Sequence, residues 1–199
     1  MSLEHVVQLF DTETSRAQNV AAFIARGLAA REPALLVLRP ETSTAVIDQL
    51  HAARIAANDA IADGRLIVFD AEEMLRTICR NGLPDRTLFA KNLVPVARQL
   101  AGAGRLWASG EMVDILAQRG DLGSALMLEA FWNELAQRVP IMLMCSYASP
   151  HFVSTATHHA LVDICRAHSH VPRHPEDPLG NWLLTAAHHS NGNGSMPRR

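Results

Sequence analysis

The chain has 199 residues, of which 48% are hydrophobic and 19% charged, with a formal net charge of −2. This composition suits one globular domain with a sizeable core. It leaves no basic stripe for nucleic acid and no apolar run near the ~20 residues that span a bilayer. Cys79, Cys145 and Cys165 are few and far apart, and Met1-Ser2-Leu3-Glu4-His5 has no basic-then-apolar leader. The expectation is a cytoplasmic protein with reduced thiols, binding neither nucleic acid nor membrane.

Short apolar runs alternate with helical patterns along the chain. Strands are expected at His5–Phe10, Ala34–Arg39, Arg65–Asp70, Arg105–Ser109 and Ile141–Tyr147. Leu35-Leu36-Val37-Leu38, Leu66-Ile67-Val68-Phe69 and Ile141-Met142-Leu143-Met144 are continuously apolar, the pattern of strands covered on both faces of a parallel sheet. Asp11 or Thr12 can cap a helix to about Arg31, with Val20, Phe23, Ile24, Gly27 and Leu28 inward. Pro40-Glu41-Thr42 opens a second helix with Val46, Ile47 and Leu50 on its inner face. A short helix follows at Ala71–Arg80, then one at Leu88–Ala101 in which Pro95 marks a bend or a late start. Gly123–Val139 and Thr155–Arg166 complete the helices. The alternation predicts a three-layer α/β domain with a mainly parallel central sheet and right-handed crossovers.

The turn after the first strand is informative by what it lacks. A phosphate-binding turn needs glycines and a lysine, G-x-x-x-x-G-K-[ST]. Here Asp11-Thr12-Glu13-Thr14-Ser15-Arg16 has no glycine and two acids, and the chain's only lysine is the distant Lys91. The sheet of a nucleotide-binding protein is expected without the phosphate loop.

Ligands of open parallel sheets bind beyond the carboxyl ends of the strands. The places to look there are Asp11, Arg39, Asp70, Ser109, Glu111, Ser146 and Tyr147, and all but Ser146 are expected to bind the ligand. Glu111 stands out because it follows a strand-end glycine and precedes Met112-Val113; the alternative is a cap for Asp114–Gln118. Glu129 and Asn133, four apart on the long helix, share one face and can point to the same pocket. Asp70 with Glu72 and Glu73 also suits a helix start, where the dipole favours acids. Cys145 reads as an inert core thiol, and no nucleophile has an assignable triad, so no catalytic residue is expected. Cys165, His168 and His170 have metal-binding side chains without a paired ligand spacing, so neither metal nor cofactor is expected. His168-Ser169-His170 reads instead as a helix end whose imidazoles meet the last carbonyls.

From Pro172 the composition changes: Pro172, Pro175, Pro178 and Asn191-Gly192-Asn193-Gly194-Ser195 divide the chain into a domain at 1–171 and a Pro/Gly/His-rich tail at 172–199, partly disordered. Within it, Trp182 and Leu183 are candidates to bind a partner or to pack back on the domain.

Several segments carry a family resemblance: His5-Val6-Val7-Gln8-Leu9-Phe10-Asp11, Arg65 to Glu73, Arg105-Leu106-Trp107-Ala108-Ser109-Gly110-Glu111-Met112, Leu128 to Leu135, Cys145-Ser146-Tyr147 with His151-Phe152, and Cys165 to Pro172. Together, over about residues 4–173, they resemble the MEDS family, the methanogen/methylotroph DcmR sensory domain. The resemblance implies a degenerate RecA/KaiC-like fold without a P-loop. It further implies a non-catalytic sensory role, in which a small organic ligand or a signalling partner modulates a sensor histidine kinase or transcriptional regulator. Two other readings stand beside it: a protein-interaction or homo-oligomerisation module without ligand, and a divergent nucleotide-binding ATPase.

Overall fold

The computed structural model describes residues 4–152 and 155–169. In chain order these form β1 (Glu4–Phe10), α1 (Glu13–Ala29), β2 (Ala34–Leu38), α2 (Pro40–Ala52), α3 (Ala57–Ala62), β3 (Leu66–Asp70), α4 (Ala71–Ile78), β4 (Cys79–Arg80), β5 (Leu83–Pro84), α5 (Arg86–Asn92), α6 (Val94–Ala101), β6 (Leu106–Gly110), α7 (Met112–Gln118), α8 (Leu122–Ala136), β7 (Ile141–Ala148), a 3-10 turn (Ser149–Phe152) and α9 (Thr155–Ala167). The five expected strands are all present, within about a residue of the expected ends. The expected Leu88–Ala101 helix is two helices that break at Leu93, with Pro95 in the first turn of α6. There its missing N–H costs nothing, because first-turn amides have no intrahelical acceptor.

The main sheet has the order β1-β7-β6-β2-β3, and every neighbouring pair is parallel. All residues of β2 and β6 and all but the last of β7 are buried, whereas β3, whose apolar run predicted cover on both faces, is fully buried only at Leu66 because it lies at the sheet edge. Strand alternation sends Val6, Leu36, Trp107 and Met144 to one face, where they pack with Val20 and Ile24 of α1 and Val46 and Leu50 of α2. Val7, Leu35, Ala108, Leu143 and Cys145 face the other layer, built from α4 to α9.

This layering creates a topological switch. The helix after β2 lies on one face, and the helices after β6 lie on the other. The neighbouring carboxyl ends of β2 and β6 therefore diverge into a crevice.

Two local devices seat α1 against that crevice. Thr12 closes a capping box: its side chain accepts from Ser15 N, and Ser15 accepts from Thr12 N. Gly27 lets the helix approach β6, since a Cβ there would stand 2.5 Å from Trp107 Cγ and 2.8 Å from its Nε1. The indole then donates to Glu32 Oε2 at 2.6 Å.

Candidate functional site

The crevice between β2 and β6 gathers Arg16, Arg39, Glu111 and Asp114, with the exposed Glu13 Oε1 3.3 Å from Arg16 Nη2 and His151 Nε2 3.1 Å from Asp114 Oδ1. Glu111 occupies the N-cap position of α7 yet makes no side-chain cap bond. Its Oε1 instead accepts from Arg16 Nη1 and Arg39 Nη1, each at 2.6 Å. Asp114, one turn along α7, accepts from Arg16 Nη2 at 2.8 Å and lies 3.4 Å from Arg39 Nη1. Arg16 also lies over the Phe10 ring, 3.7 Å from its centroid. Arg16 and Glu111 are 1% and 0% exposed, whereas Arg39 is half-buried and reaches Gln118 Oε1 at the rim.

Two guanidiniums and two carboxylates cancel formally, and burial without such balance would be prohibitive. Burial pushes Glu111 up from its ordinary pKa, against the pull of Arg16 and Arg39. For Arg39 desolvation lowers the pKa, but the Glu111 and Asp114 carboxylates outweigh it and the net shift is upward.

Beneath α1 the sheet is polar at its carboxyl end. Gln8, Ser109 and Ser146 fall on the α1 face by alternation, and Gln8 and Ser146 are register partners. The Thr42 hydroxyl and the Arg39 amide stand close enough to the Glu111 carboxylate to favour its charged form. Among the described residues, Gln8 Oε1, Ser109 Oγ, Ser146 Oγ, Arg16 Nε and Glu111 Oε2 are nevertheless buried with no well-aligned hydrogen-bond partner. Buried polar atoms of this kind ordinarily have one, from protein, water or ligand.

A second polar group lies on the opposite face, between β1, β7, α8 and α9. His5, Glu129, Cys145 and His168 are all buried, and one donor atom from each lies within 4.8 Å of the others. Glu129 Oε2 is 3.3 Å from His5 Nε2 and 3.4 Å from His168 Nε2, and its Oε1 accepts from the Tyr147 hydroxyl at 2.7 Å. Burial would raise the Glu129 pKa, but the His168 and His5 imidazoles outweigh it and hold the carboxyl well below its usual range. Burial lowers His168, Glu129 opposes it, and the net shift is upward. Cys145 and Tyr147 are pushed well above their ordinary values, by burial first and by Glu129 second. The two polar groups meet at the end of β7, where Tyr147 donates to Glu129 and the next amide, Ala148 N, donates to Asp114 Oδ1 at 2.8 Å.

The model of the MEDS family, the methanogen/methylotroph DcmR sensory domain, matches residues 4–169. The chain belongs to the MEDS family. Its fold is similar to that of a KaiC-like protein from the hyperthermophilic archaeon Pyrococcus horikoshii, with a TM-score of 0.56 at 17% identity over 84% of this chain and 70% of that one. At that identity the likeness concerns the fold alone. No curated protein matches the sequence.

In this MEDS domain the expected site residues divide between several places. Arg39 and Glu111 meet in the crevice, with Ser109 buried beside them on β6. Asp11 is exposed at the end of β1. Asp70, on the edge strand β3, caps α4 by accepting from Glu72 N and Glu73 N, the helix-start role its neighbours suggested. Glu129, Asn133 and Tyr147 do not point towards Glu111 but gather around His5 on the other face. Trp182 and Leu183 lie outside the described residues. Arg16 and Asp114 are site residues beyond those expected; the signals for them in the sequence are an arginine on the apolar face of α1 and an acid within the apolar α7. His5 and Cys145 gave none, since each sits in an apolar strand. His168 does meet a helix carbonyl, Ile164 O at 2.6 Å, while its other ring nitrogen faces Glu129.

Proposed function

We propose that this MEDS domain is a non-catalytic receiver that binds a small polar organic molecule in the crevice between β2 and β6. The carrying observation is the set of buried polar atoms beneath α1 that lack a well-aligned partner among the described residues, beside a charge-balanced quartet whose one partly open member is Arg39. Glu111 Oε2 suits a hydroxyl or amine donor, and the Arg39 guanidinium suits an acceptor oxygen. The quartet also takes the place a phosphate loop would need: Arg16 and Glu111 pair with each other, and the turn before α1 lacks glycine.

Signalling requires that occupancy favour one conformer, because a ligand shifts an equilibrium only through differential affinity. A ligand that competes with Gln118 for Arg39 would free the end of α7 and, through the Arg39 contacts with Glu111 and Asp114, bear on the start of that helix and the end of β7. A sensor histidine kinase or transcriptional regulator is the partner class that fits a family of sensory domains.

Native mass spectrometry of freshly purified protein, followed by calorimetric titration with small alcohols and carboxylates, tests this reading. Binding that disappears in folded Arg39→Gln and Glu111→Gln supports it. Tight magnesium-dependent ATP binding would instead restore the ATPase reading. Exposed Leu83 and Met127 favour a second reading as an interaction module, for which sedimentation of the full chain against Leu83→Asp is the measurement.

A further inference from the structure

We propose that His5, Glu129, Cys145 and His168 bind one zinc ion, closing a four-ligand site between the sheet and helices α8 and α9. The inference is independent of the crevice ligand, since it rests on other residues on the opposite face of the sheet.

The donor set is two imidazole nitrogens, a thiol sulfur and a carboxylate oxygen, the types zinc takes in tetrahedral sites. With metal–ligand bonds of about 2.0–2.3 Å, the edges of such a tetrahedron measure roughly 3.3–3.8 Å. Three of the six separations are 3.3 Å from His5 Nε2 to Cys145 Sγ, 3.3 Å from His5 Nε2 to Glu129 Oε2 and 3.4 Å from His168 Nε2 to Glu129 Oε2, and all four atoms lie within 4.8 Å of one another. A network held by charge-assisted hydrogen bonds alone would draw its nitrogen–oxygen pairs to about 2.7–2.9 Å. Among the described residues, neither Glu129 Oε2 nor His168 Nε2 makes a well-aligned hydrogen bond, although both side chains are fully buried and the two atoms lie 3.4 Å apart. These are two of the four atoms a metal would take; the other two, His5 Nε2 and Cys145 Sγ, face each other at 3.3 Å.

The outer contacts point the same way. The Nδ1 of His5 lies 2.8 Å from Asn133 Oδ1, and the Nδ1 of His168 lies 2.6 Å from Ile164 O. Each acceptor is an amide or peptide oxygen, so each Nδ1 carries the proton and each Nε2 presents its lone pair inward. Asn133 is itself held, donating through Nδ2 to Ala167 O at 2.8 Å. Tyr147 occupies Glu129 Oε1 and leaves Oε2 to the centre. Ligand charge fits as well: a Cys145 thiolate and a Glu129 carboxylate neutralise Zn²⁺ inside a region closed to water. On binding, the Cys145 sulfur exchanges its proton, released to solvent, for a bond to zinc.

Four protein ligands leave no open position, so the site is structural rather than catalytic. It fastens the end of α9 to β1 where Ser169 already does so, with Ser169 N donating to His5 O at 2.8 Å and His5 N donating to Ser169 Oγ at 2.8 Å.

The full chain, purified from zinc-supplemented medium, is assayed for metal content, then stripped and titrated with Co²⁺ alone. The expected result is one zinc per chain and, with Co²⁺, a thiolate-to-cobalt charge-transfer band with the strong visible bands of a tetrahedral site. Cys145→Ser should abolish the charge-transfer band, and Cys79→Ser should leave it intact. Should Cys145→Ser not fold, Asn133→Ala, which touches His5 without ligating, is expected to weaken zinc binding about 10–100-fold. The proposal is overturned if folded wild-type protein retains and binds no metal. It is equally overturned if the cobalt band survives Cys145→Ser or if zinc affinity is unchanged in Asn133→Ala.

Discussion

Replacing Arg16 by Met removes one positive charge from the crevice and keeps most of the side-chain volume. Glu111 and Asp114 then share Arg39 as their remaining guanidinium, 2.6 Å from one and 3.4 Å from the other, while His151 Nε2 lies 3.1 Å from Asp114 Oδ1. A formally neutral quartet becomes a buried group of net charge −1. Breaking a buried pair from one side costs about 3–5 kcal/mol, because the orphaned charge stays desolvated. Loss of the cation–π contact with Phe10 falls within the same figure rather than adding to it. With a urea m-value of about 2 kcal/mol/M, the midpoint should fall by about 1.5–2.5 M. The decisive comparison adds Asp114→Asn, which restores neutrality while Oδ1 still accepts from Ala148 N. In the Arg16→Met background that second change should cost about 1–3 kcal/mol less than it does alone. Urea unfolding followed by far-UV circular dichroism gives all four stabilities. A loss below about 1 kcal/mol for Arg16→Met, or strictly additive costs, would refute the balanced-quartet argument.

Gly27→Ala should destabilise despite its better helix propensity: forcing a methyl against Trp107 costs about 1–3 kcal/mol, only partly offset by the ~1 kcal/mol gain in helix preference. A raised urea midpoint would show that α1 can retreat without loss. Tyr147→Phe removes the 2.7 Å bond to Glu129 and should cost about 1.5–3 kcal/mol, the range for hydrogen bonds to charged groups; thermal melts that coincide with wild type would contradict it. Thr12→Ala breaks the capping box of α1 and should cost about 0.5–2 kcal/mol, measured by the same unfolding curves. Asp121 is held below its ordinary pKa by Ser124 at the start of α8. A depressed folded pKa contributes stability above the unfolded value and loses it as pH falls through the folded one. Asp121→Asn should therefore flatten the acid side of the stability profile below about pH 4, and an unchanged profile would count against the cap.

Much of the fold was readable from local pattern. The five apolar runs, the cap at Thr12, the proline at the first position of α2 and the break near Pro95 each express a preference of neighbouring residues, which acts wherever the segment lies in space. The missing glycines and lysine after β1 were legible for the same reason. Ala57–Ala62 and the two-residue strands β4 and β5 escaped notice because they are too short to show a period. Glu111 was legible as a strand-end residue, but its partners were not. Arg16 is 95 positions away and Arg39 is 72, and no local preference joins them.

The sequence by itself determined which segments became strands and helices, which face of each is apolar, and that no phosphate loop follows β1. Tertiary structure alone decided that β1 lies against β7 and β2 against β6. The first pairing brings His5 to Cys145 across 140 positions, and the second opens the crevice where Arg39 meets Glu111. Element type follows from contacts within a few residues, whereas strand order is chosen by how all the apolar faces are buried at once, so polar side chains that meet only across that order leave no mark in the linear pattern.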